Sequence, residues 1–429
     1  MRGRISEKGI KAAMTLAALL TAACLTGCGA GESAGPGPEA TATFQPGAED
    51  DGSGSDAQDT KQPDPSEAPT EQPAKAEAPT PKPQVDRSGV FELFSHMTVG
   101  WNLGNTFDAF GIGNTLDTET YWGNPSTTQE MIDEISKQGI NTVRIPVTWA
   151  EHVGSAPDYT IDEKWLGRVQ EVVDYCFEDG MYVILDTHHE PEYWLSLAEG
   201  DMENTKAELA AIWTQVAERF KDYDEHLLFE GMNEPRTKGS ANEWNGGTGP
   251  ERMAVNELNG IFIDAVRAVG GENADRCLII CTYGNNASTA SLQNLEIYDD
   301  PNIAVAVHLY TPYFFTYDAE DGGYSEWDGS KKSDITGTLR MLNSTMIQRG
   351  MPVIVTEFGA VNKGNTQEVI KWLEDYLGAM NEYGIKCVWW DNGNYTNQGE
   401  KFAIFDRRKL TWFSQEIADA LVEYAAGAE

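Results

Sequence analysis

Basic residues are scarce in this 429-residue sequence: 31 Lys and Arg stand against 68 Asp and Glu, a formal net charge of −37 at pH 7. Nucleic acid is excluded as a partner, because phosphate backbones are held by basic patches. Residues 1–85 contain 7 basic and 12 acidic side chains, so most of the negative charge belongs to residues 86–429. Such a surface suits an uncharged polymer, whose approach needs no long-range steering. Cysteine and histidine are also few, at 6 each. Beyond residue 85 the cysteines are Cys176, Cys277, Cys281 and Cys387; without CxxC spacing they read as buried free thiols rather than a disulfide frame or a zinc site. His188-His189-Glu190 lacks the HExxH spacing of a metallohydrolase. No glycine-rich phosphate loop follows a strand, and no GxSxG nucleophile elbow occurs. Neither a metal nor a cofactor is expected.

Long hydrophobic runs are missing too. Arg2, Arg4, Lys8 and Lys11 precede an apolar stretch over residues 12–23, shorter than the roughly 20 residues a membrane-spanning helix needs. Leu25-Thr26-Gly27-Cys28 then resembles the lipobox of bacterial lipoproteins, in which the chain is cut before the Cys and its thiol is diacylated. Residues 1–27 are therefore expected to be a lipoprotein signal peptide. Two or more acyl chains at Cys28 would hold the protein stably at the outer face of the bacterial envelope, the only membrane contact expected. Residues 28–85 are rich in Pro, Thr, Ala and acidic residues with almost nothing to bury, which predicts a disordered tether. All 12 Trp lie beyond residue 90. Residues 86–429 read as one globular domain, expected to act as a monomer.

Within that domain short apolar runs alternate with amphipathic segments. Strands are predicted over 99–104, 142–147, 182–187, 227–232, 277–282, 303–309, 352–356 and 386–390. Helices are predicted over 128–138, 163–178, 206–221, 251–269 and 367–383, while the fifth and sixth crossovers are weakly patterned. Thr160 and Glu163 look like a capping box opening the second helix, and Gly139 and Gly180 end the first two. Eight strands alternating with helices predict an α/β fold, a (β/α)8 TIM barrel.

In such a barrel the active site lies at the C-terminal ends of the strands. Reading those ends in order gives Asn102 and Asn105, Arg144, His188 and His189, Asn233 and Glu234, His308 and Tyr310, Glu357, and Trp390, Asp391 and Asn392. So many polar groups at one rim point to chemistry rather than stability. With metal, phosphate and serine chemistry lacking a signature, two glutamates on the fourth and seventh strands remain. A protonated and an ionised carboxyl flanking a sugar are what glycosidic cleavage needs.

Trp101-Asn-Leu-Gly-Asn105, Arg144-Ile-Pro-Val-Thr-Trp149, Asp186-Thr-His-His189, Glu230-Gly-Met-Asn-Glu-Pro235, His308-Leu-Tyr310, Glu357-Phe-Gly359 and Trp389-Trp-Asp-Asn392 resemble glycoside hydrolase family 5 in order and spacing. Trp122-Gly-Asn-Pro125 and the Trp-Trp-Asp-Asn ending are similar to its branch rich in endo-β-1,4-glucanases and xyloglucanases. The resemblance implies that Glu234 is the acid/base and Glu357 the nucleophile. It implies that Arg144 and Tyr310 contact Glu357, that His308 tunes Glu234, and that Asn233 holds the sugar's 2-hydroxyl. It further implies that His188 binds the sugar beside the nucleophile and that Trp390 is a platform for a pyranose face. Asn102 and Trp149 join this set as substrate-binding or supporting residues, and His189 fits either a substrate contact or a hydrogen bond behind one. Trp122, Trp149, Trp194 and Trp327 fit either rim or core, whereas Trp165 and Trp372 fall on helix faces as core. His96, His152 and His226 read as surface or loop residues, with His152 also able to line the cleft.

The activity implied is retaining endo-hydrolysis of β-1,4-glucans, including xyloglucan and mixed-linkage glucan. The same mechanism on β-mannan or xylan stands beside it, as does a surface lipoprotein that binds glycan without cutting it. The rim segment 313–330 is where a choice of polysaccharide would be made.

Overall fold

In the computed structural model the described residues are 85–317, 323–396 and 399–427. The expected signal peptide, Cys28 and nearly all of the tether lie outside them, as does the centre of the 313–330 segment. Eight parallel strands close into a barrel: β1 (Gly100–Asn102), β2 (Thr142–Ile145), β3 (Tyr182–Asp186), β4 (Leu227–Glu230), β5 (Leu278–Cys281), β6 (Ile303–His308), β7 (Val353–Phe358) and β8 (Lys386–Trp389). Pairing of β1 with β8 shuts the ring. Every predicted strand is present. Their residues are almost all buried, as strands faced by helices outside and by the packed barrel interior inside must be.

Crossover helices run over Gln129–Lys137, Glu163–Glu178, Met202–Arg219, Gly249–Val269, Lys332–Thr345 and Thr366–Asn381. After β5 the crossover contains a 3-10 turn, Tyr283–Asn285, and a single short α-helix, Thr289–Gln293, too brief to carry an apolar stripe, which is why the sequence pattern is faint there. Gly139 follows the first of these helices at φ 98°, a left-handed turn that glycine enters without strain. The capping box expected at Thr160 is not formed. Asp162 is the N-cap, accepting from the Lys164 and Trp165 amides, because a carboxylate one residue from the first turn reaches both donors directly. A true capping box joins Thr248 and Glu251 instead.

The helix Ser88–His96 plugs the N-terminal end of the barrel: its Val90 and Phe94, with Met97 just beyond it, pack against inward-facing Ile184, Leu228, Ile279, Ala304, Ile354 and Val388. That end is filled, leaving the opposite mouth for a site. A hairpin of β9 (Phe405–Asp406) and β10 (Thr411–Trp412) and a last helix, Gln415–Ala426, complete the described fold.

Candidate active site

At the barrel mouth the pairing of β6 with β7 shifts register after Val307, setting His308 opposite Glu357. A bulge of this kind re-aims a side chain. His308 Nδ1 lies 2.8 Å from Glu234 Oε1 and 3.4 Å from Glu357 Oε2, so its imidazole stands between the two glutamates. One carboxylate oxygen of each lies within 4.8 Å of the other. Glu234 sits just past β4 at φ 46°. A left-handed backbone at a non-glycine residue costs about 1–3 kcal/mol and persists where the surroundings enforce it.

Glu357 is held from both sides: Arg144 Nη1 donates to Oε1 at 2.9 Å, and the Tyr310 hydroxyl donates to Oε2 at 3.0 Å. Burial lifts its pKa above the ordinary carboxylate value, opposed by His308, Arg144 and Tyr310, which all favour the charged form. Burial acts on Glu234 in the same direction, but the His308 hydrogen bond and charge overcome it and bring it to about 2. His308 answers in kind: against burial, Glu357 and Glu234 raise its pKa. The shifts of Glu234 and His308 run in opposite directions, so a proton shared between those two favours His308.

Arg144 is fully buried and touches three carboxylates. Its Nε donates to Glu230 Oε2 at 2.6 Å, and its Nη2 meets Asp186 Oδ2 at 2.7 Å, in addition to Glu357. The Asn102 and Asn233 carboxamide oxygens accept from the same guanidinium at 3.0 and 2.9 Å. Asp186, raised to about 6 by burial against the pull of Arg144, also meets His188 Nδ1 at 2.8 Å. His188 is kept neutral by burial and by the Arg144 charge, and its ring stacks on Trp390 at 5.7 Å and 4°. Asn233 Nδ2 lies 3.4 Å from the other His188 nitrogen.

Trp390 lies flat because Gly104 leaves room: a Cβ there would stand 2.8 Å from the indole. Arg407 secures this corner, donating to the Gly104 carbonyl at 2.9 Å and to Asp391 Oδ1 at 3.0 Å. Sequence reasoning did not single out Arg407, nor Asp186 and Glu230 as charges. An acid ending an otherwise apolar buried strand needs a partner, and that signal was available. Glu400, also missed, lies on the loop after β8, where it accepts from the Tyr317 hydroxyl; burial pushes its pKa up. Its remoteness from any strand end left no signal.

Several open alternatives are decided, and the reading of His152 is corrected. Asn102 is fully buried, its Nδ2 bonding the carbonyls of Thr356, Val388 and Trp389 and its Oδ1 accepting from Arg144, so of its two readings it is a supporting residue that cannot meet a sugar. Trp149 is likewise buried, its Nε1 donating to the Asp186 carbonyl at 3.1 Å, which makes it core and not platform. His152 is neither on the surface nor in the cleft: it is buried and stacked on Trp165 at 3.7 Å. Trp327 is core, bonded to Asp375. His189, partly exposed, faces Asp108 at 3.8 Å and packs against Phe110 and Trp122. The four cysteines are free and buried, as expected.

A barrel mouth with two glutamates this close, one beside a fixed cation and the other paired with an imidazole, defines a glycosidase working by double displacement. Inverting enzymes need about 6.5–9.5 Å between the carboxyls for a water. The sequence profile of cellulase (glycosyl hydrolase family 5) matches residues 104–396, and the chain belongs to that family as a cellulase-type glycoside hydrolase. It is 48% identical over 342 residues to Endoglucanase A of Ruminococcus albus, covering 78% of this chain and 92% of that one. A GH5 xyloglucan-specific endo-β-1,4-glucanase from a metagenomic library, solved with cellotriose, superposes with TM-score 0.78 at 56% identity, over 79% of this chain and 100% of the other. A GH5-4 broad-specificity endoglucanase from Ruminococcus champanellensis, also with bound cellotriose, gives 0.76 at 42% identity over 79% and 99%.

Proposed function

We propose that this chain is a retaining endo-β-1,4-glucanase in which Glu357 is the nucleophile and Glu234 the acid/base, with xyloglucan among its substrates. The observation that carries the reading is the placement of His308 between two carboxyls within 4.8 Å of each other. Substrate entry expels water and favours the neutral form of a carboxyl. The His308 proton then passes to Glu234 Oε1, and Glu234 delivers a proton to the leaving glycosidic oxygen. Glu357, its charge held by Arg144 and Tyr310, attacks the anomeric carbon and forms the glycosyl ester. Water activated by the now ionised Glu234 hydrolyses that ester with net retention.

Asn233 has its amide directed by Arg144 and His188, which suits it to the 2-hydroxyl of the sugar under attack. His188 and Trp390 form the floor beside it. Similarity to enzymes described as xyloglucan-specific and broad-specificity supports a substituted or mixed-linkage glucan over mannan or xylan. The intact pair of glutamates argues against a binder that does not cut. The lipobox reading further supports anchoring at the outer envelope through Cys28, with 28–85 as tether and 86–429 as a monomeric catalytic domain. A Cys28→Ser variant should then fail to incorporate labelled fatty acid.

The roles are tested by two variants on two substrates. Glu357→Ala should be inactive on xyloglucan and on a nitrophenyl cellobioside. Glu234→Ala should lose the polysaccharide but still release the good nitrophenolate leaving group in the first step, with the glycosyl enzyme accumulating. Inactivity of Glu234→Ala in that first burst, with a burst from Glu357→Ala, would reverse the assignment.

A further inference from the structure

Glu234 has a second cationic neighbour, on its own loop. Past β4 the chain enters the left-handed region at Glu234, and the turn folds the Arg236 side chain back over the residue two positions before it. Arg236 Nη1 donates to the Glu234 carbonyl at 3.0 Å and stands 3.4 Å from Glu234 Oε2. His308 Nδ1 meets the other oxygen, Oε1, at 2.8 Å. Each oxygen of this carboxylate therefore faces a nitrogen that can carry charge.

The guanidinium is fixed from two further sides. Its Nε donates to Glu243 Oε1 at 3.2 Å, and its central carbon lies 4.5 Å from the centroid of the Trp244 ring, a cation–π contact. Glu243 is tied down in turn, its Oε2 accepting the Gly239 amide at 2.7 Å. The loop is anchored to the one after β5: the Pro235 carbonyl accepts from the Gly284 amide at 2.9 Å, and the Tyr283 hydroxyl accepts from the Thr237 amide at 3.0 Å. The Arg236 and Glu243 side chains are 10% and 9% exposed, so water screens this pair far less than one on the surface.

Glu234 is also faced by Glu357 from β7, by His188 and His189 from the end of β3, and by Tyr310, Tyr317 and Glu400 from the loops after β6 and β8. Burial lifts the Glu234 carboxyl and His308 overcomes it; Arg236 adds to the lowering, ahead of His188. The two cations differ in kind. His308 hands over its proton during the reaction, whereas a guanidinium keeps its charge throughout. When the imidazole is neutral, Arg236 still stands beside Glu234.

We propose that Arg236, fixed by Glu243 and Trp244, is a positioning residue for the acid/base: it orients the Glu234 carboxylate and supplies the lasting charge that favours its base form in the second step. There Glu234 takes a proton from water while that water's oxygen bonds the anomeric carbon and the bond to Glu357 breaks. The inference rests on the reading of Glu234 as acid/base.

The test compares Arg236→Met, Arg236→Gln and Arg236→Lys with the parent, with thermal melting of each as a control for folding. Dinitrophenyl cellobioside has a leaving group that needs no acid, so its slow step is the second. On it the two neutral variants should lose kcat by roughly five- to twentyfold. KM should fall alongside as glycosyl enzyme accumulates, leaving kcat/KM within about twofold of the parent. On cellohexaose the alkaline limb of kcat/KM should move up by about one pH unit, because without the cation the Glu234 proton is harder to remove. Arg236→Lys, which keeps the charge, should return the limb most of the way. An unmoved limb, a lysine limb displaced as far as the neutral ones, or a kcat/KM on dinitrophenyl cellobioside that falls as far as kcat overturns the proposal. A Glu234→Ala enzyme that turns over dinitrophenyl cellobioside at the parent rate, or a parent that cleaves neither substrate, would instead overturn the acid/base reading.

Discussion

Replacing Arg144 by Met keeps most of the volume and removes the only cation that touches Asp186, Glu230 and Glu357 among the described residues. All three carboxylates are buried. Removing one partner of a buried ion pair costs about 3–5 kcal/mol, because the remaining charge has neither water nor counter-ion. At about pH 7.5 the variant should therefore unfold 3–5 kcal/mol more easily, a drop in Tm on the order of 5–10 °C. The deserted carboxyls respond by binding protons, so their folded-state pKa values rise above the unfolded ones. A raised carboxyl pKa means that stability is lost as pH climbs from the unfolded value through the folded value. The gap between variant and parent should thus narrow at about pH 4.5, where the folded variant is neutralised. Activity should fall sharply at every pH, since Glu357 and Asn233 both lose the guanidinium that orients them. Calorimetry at the two pH values checks this. A parent-like Tm at pH 7.5, or a gap that widens on acidification, would refute the reasoning.

Glu190 supplies a second pH test. Burial raises its pKa from 4.5 to about 8, while its Oε1 accepts the Trp149 amide. The folded state binds a proton that the unfolded state has released, so stability declines from about pH 4.5 to about pH 8. Glu190→Gln, which mimics the neutral acid, should gain Tm relative to the parent across that interval and match it below. Trp149→Phe should lower Tm through lost packing and the lost bond to the Asp186 carbonyl, by roughly 1–3 kcal/mol, yet leave KM for xyloglucan within about twofold; a large KM change would restore Trp149 to the substrate surface. The buried thiols, with Cys277 and Cys387 pushed up to about 12 by burial, should resist alkylation in the native protein and label fully in denaturant, as mass spectrometry would show.

Most of the barrel was legible in advance because a strand buried on both faces must be a continuous apolar run, and the crossovers between such runs carry the helical period. Where a crossover holds a single short α-helix, as after β5, there is no stripe to read. The N-cap at Asp162 was misplaced by two residues because Thr160 and Asp162 carry equivalent capping groups, and only the chain's path decides between them. The polar rim could be listed, but not sorted. Asn102, Trp149 and Trp390 all follow or end strands, yet only Trp390 lies flat beside His188; the others turn inward to satisfy carbonyls.

By itself, then, the sequence determined the number of barrel strands, the polar groups at their ends and the chemistry those groups exclude. These depend on residue type and local period. The distances belong to the closed barrel. Arg144 and Glu357 are 213 positions apart, and His308 and Glu234 are 74 apart. Closing β1 onto β8 and shifting β6 against β7 bring them within hydrogen-bonding reach. Which carboxylate carries charge follows from that meeting, because burial and neighbours, neither of them local in the chain, set the proton's place.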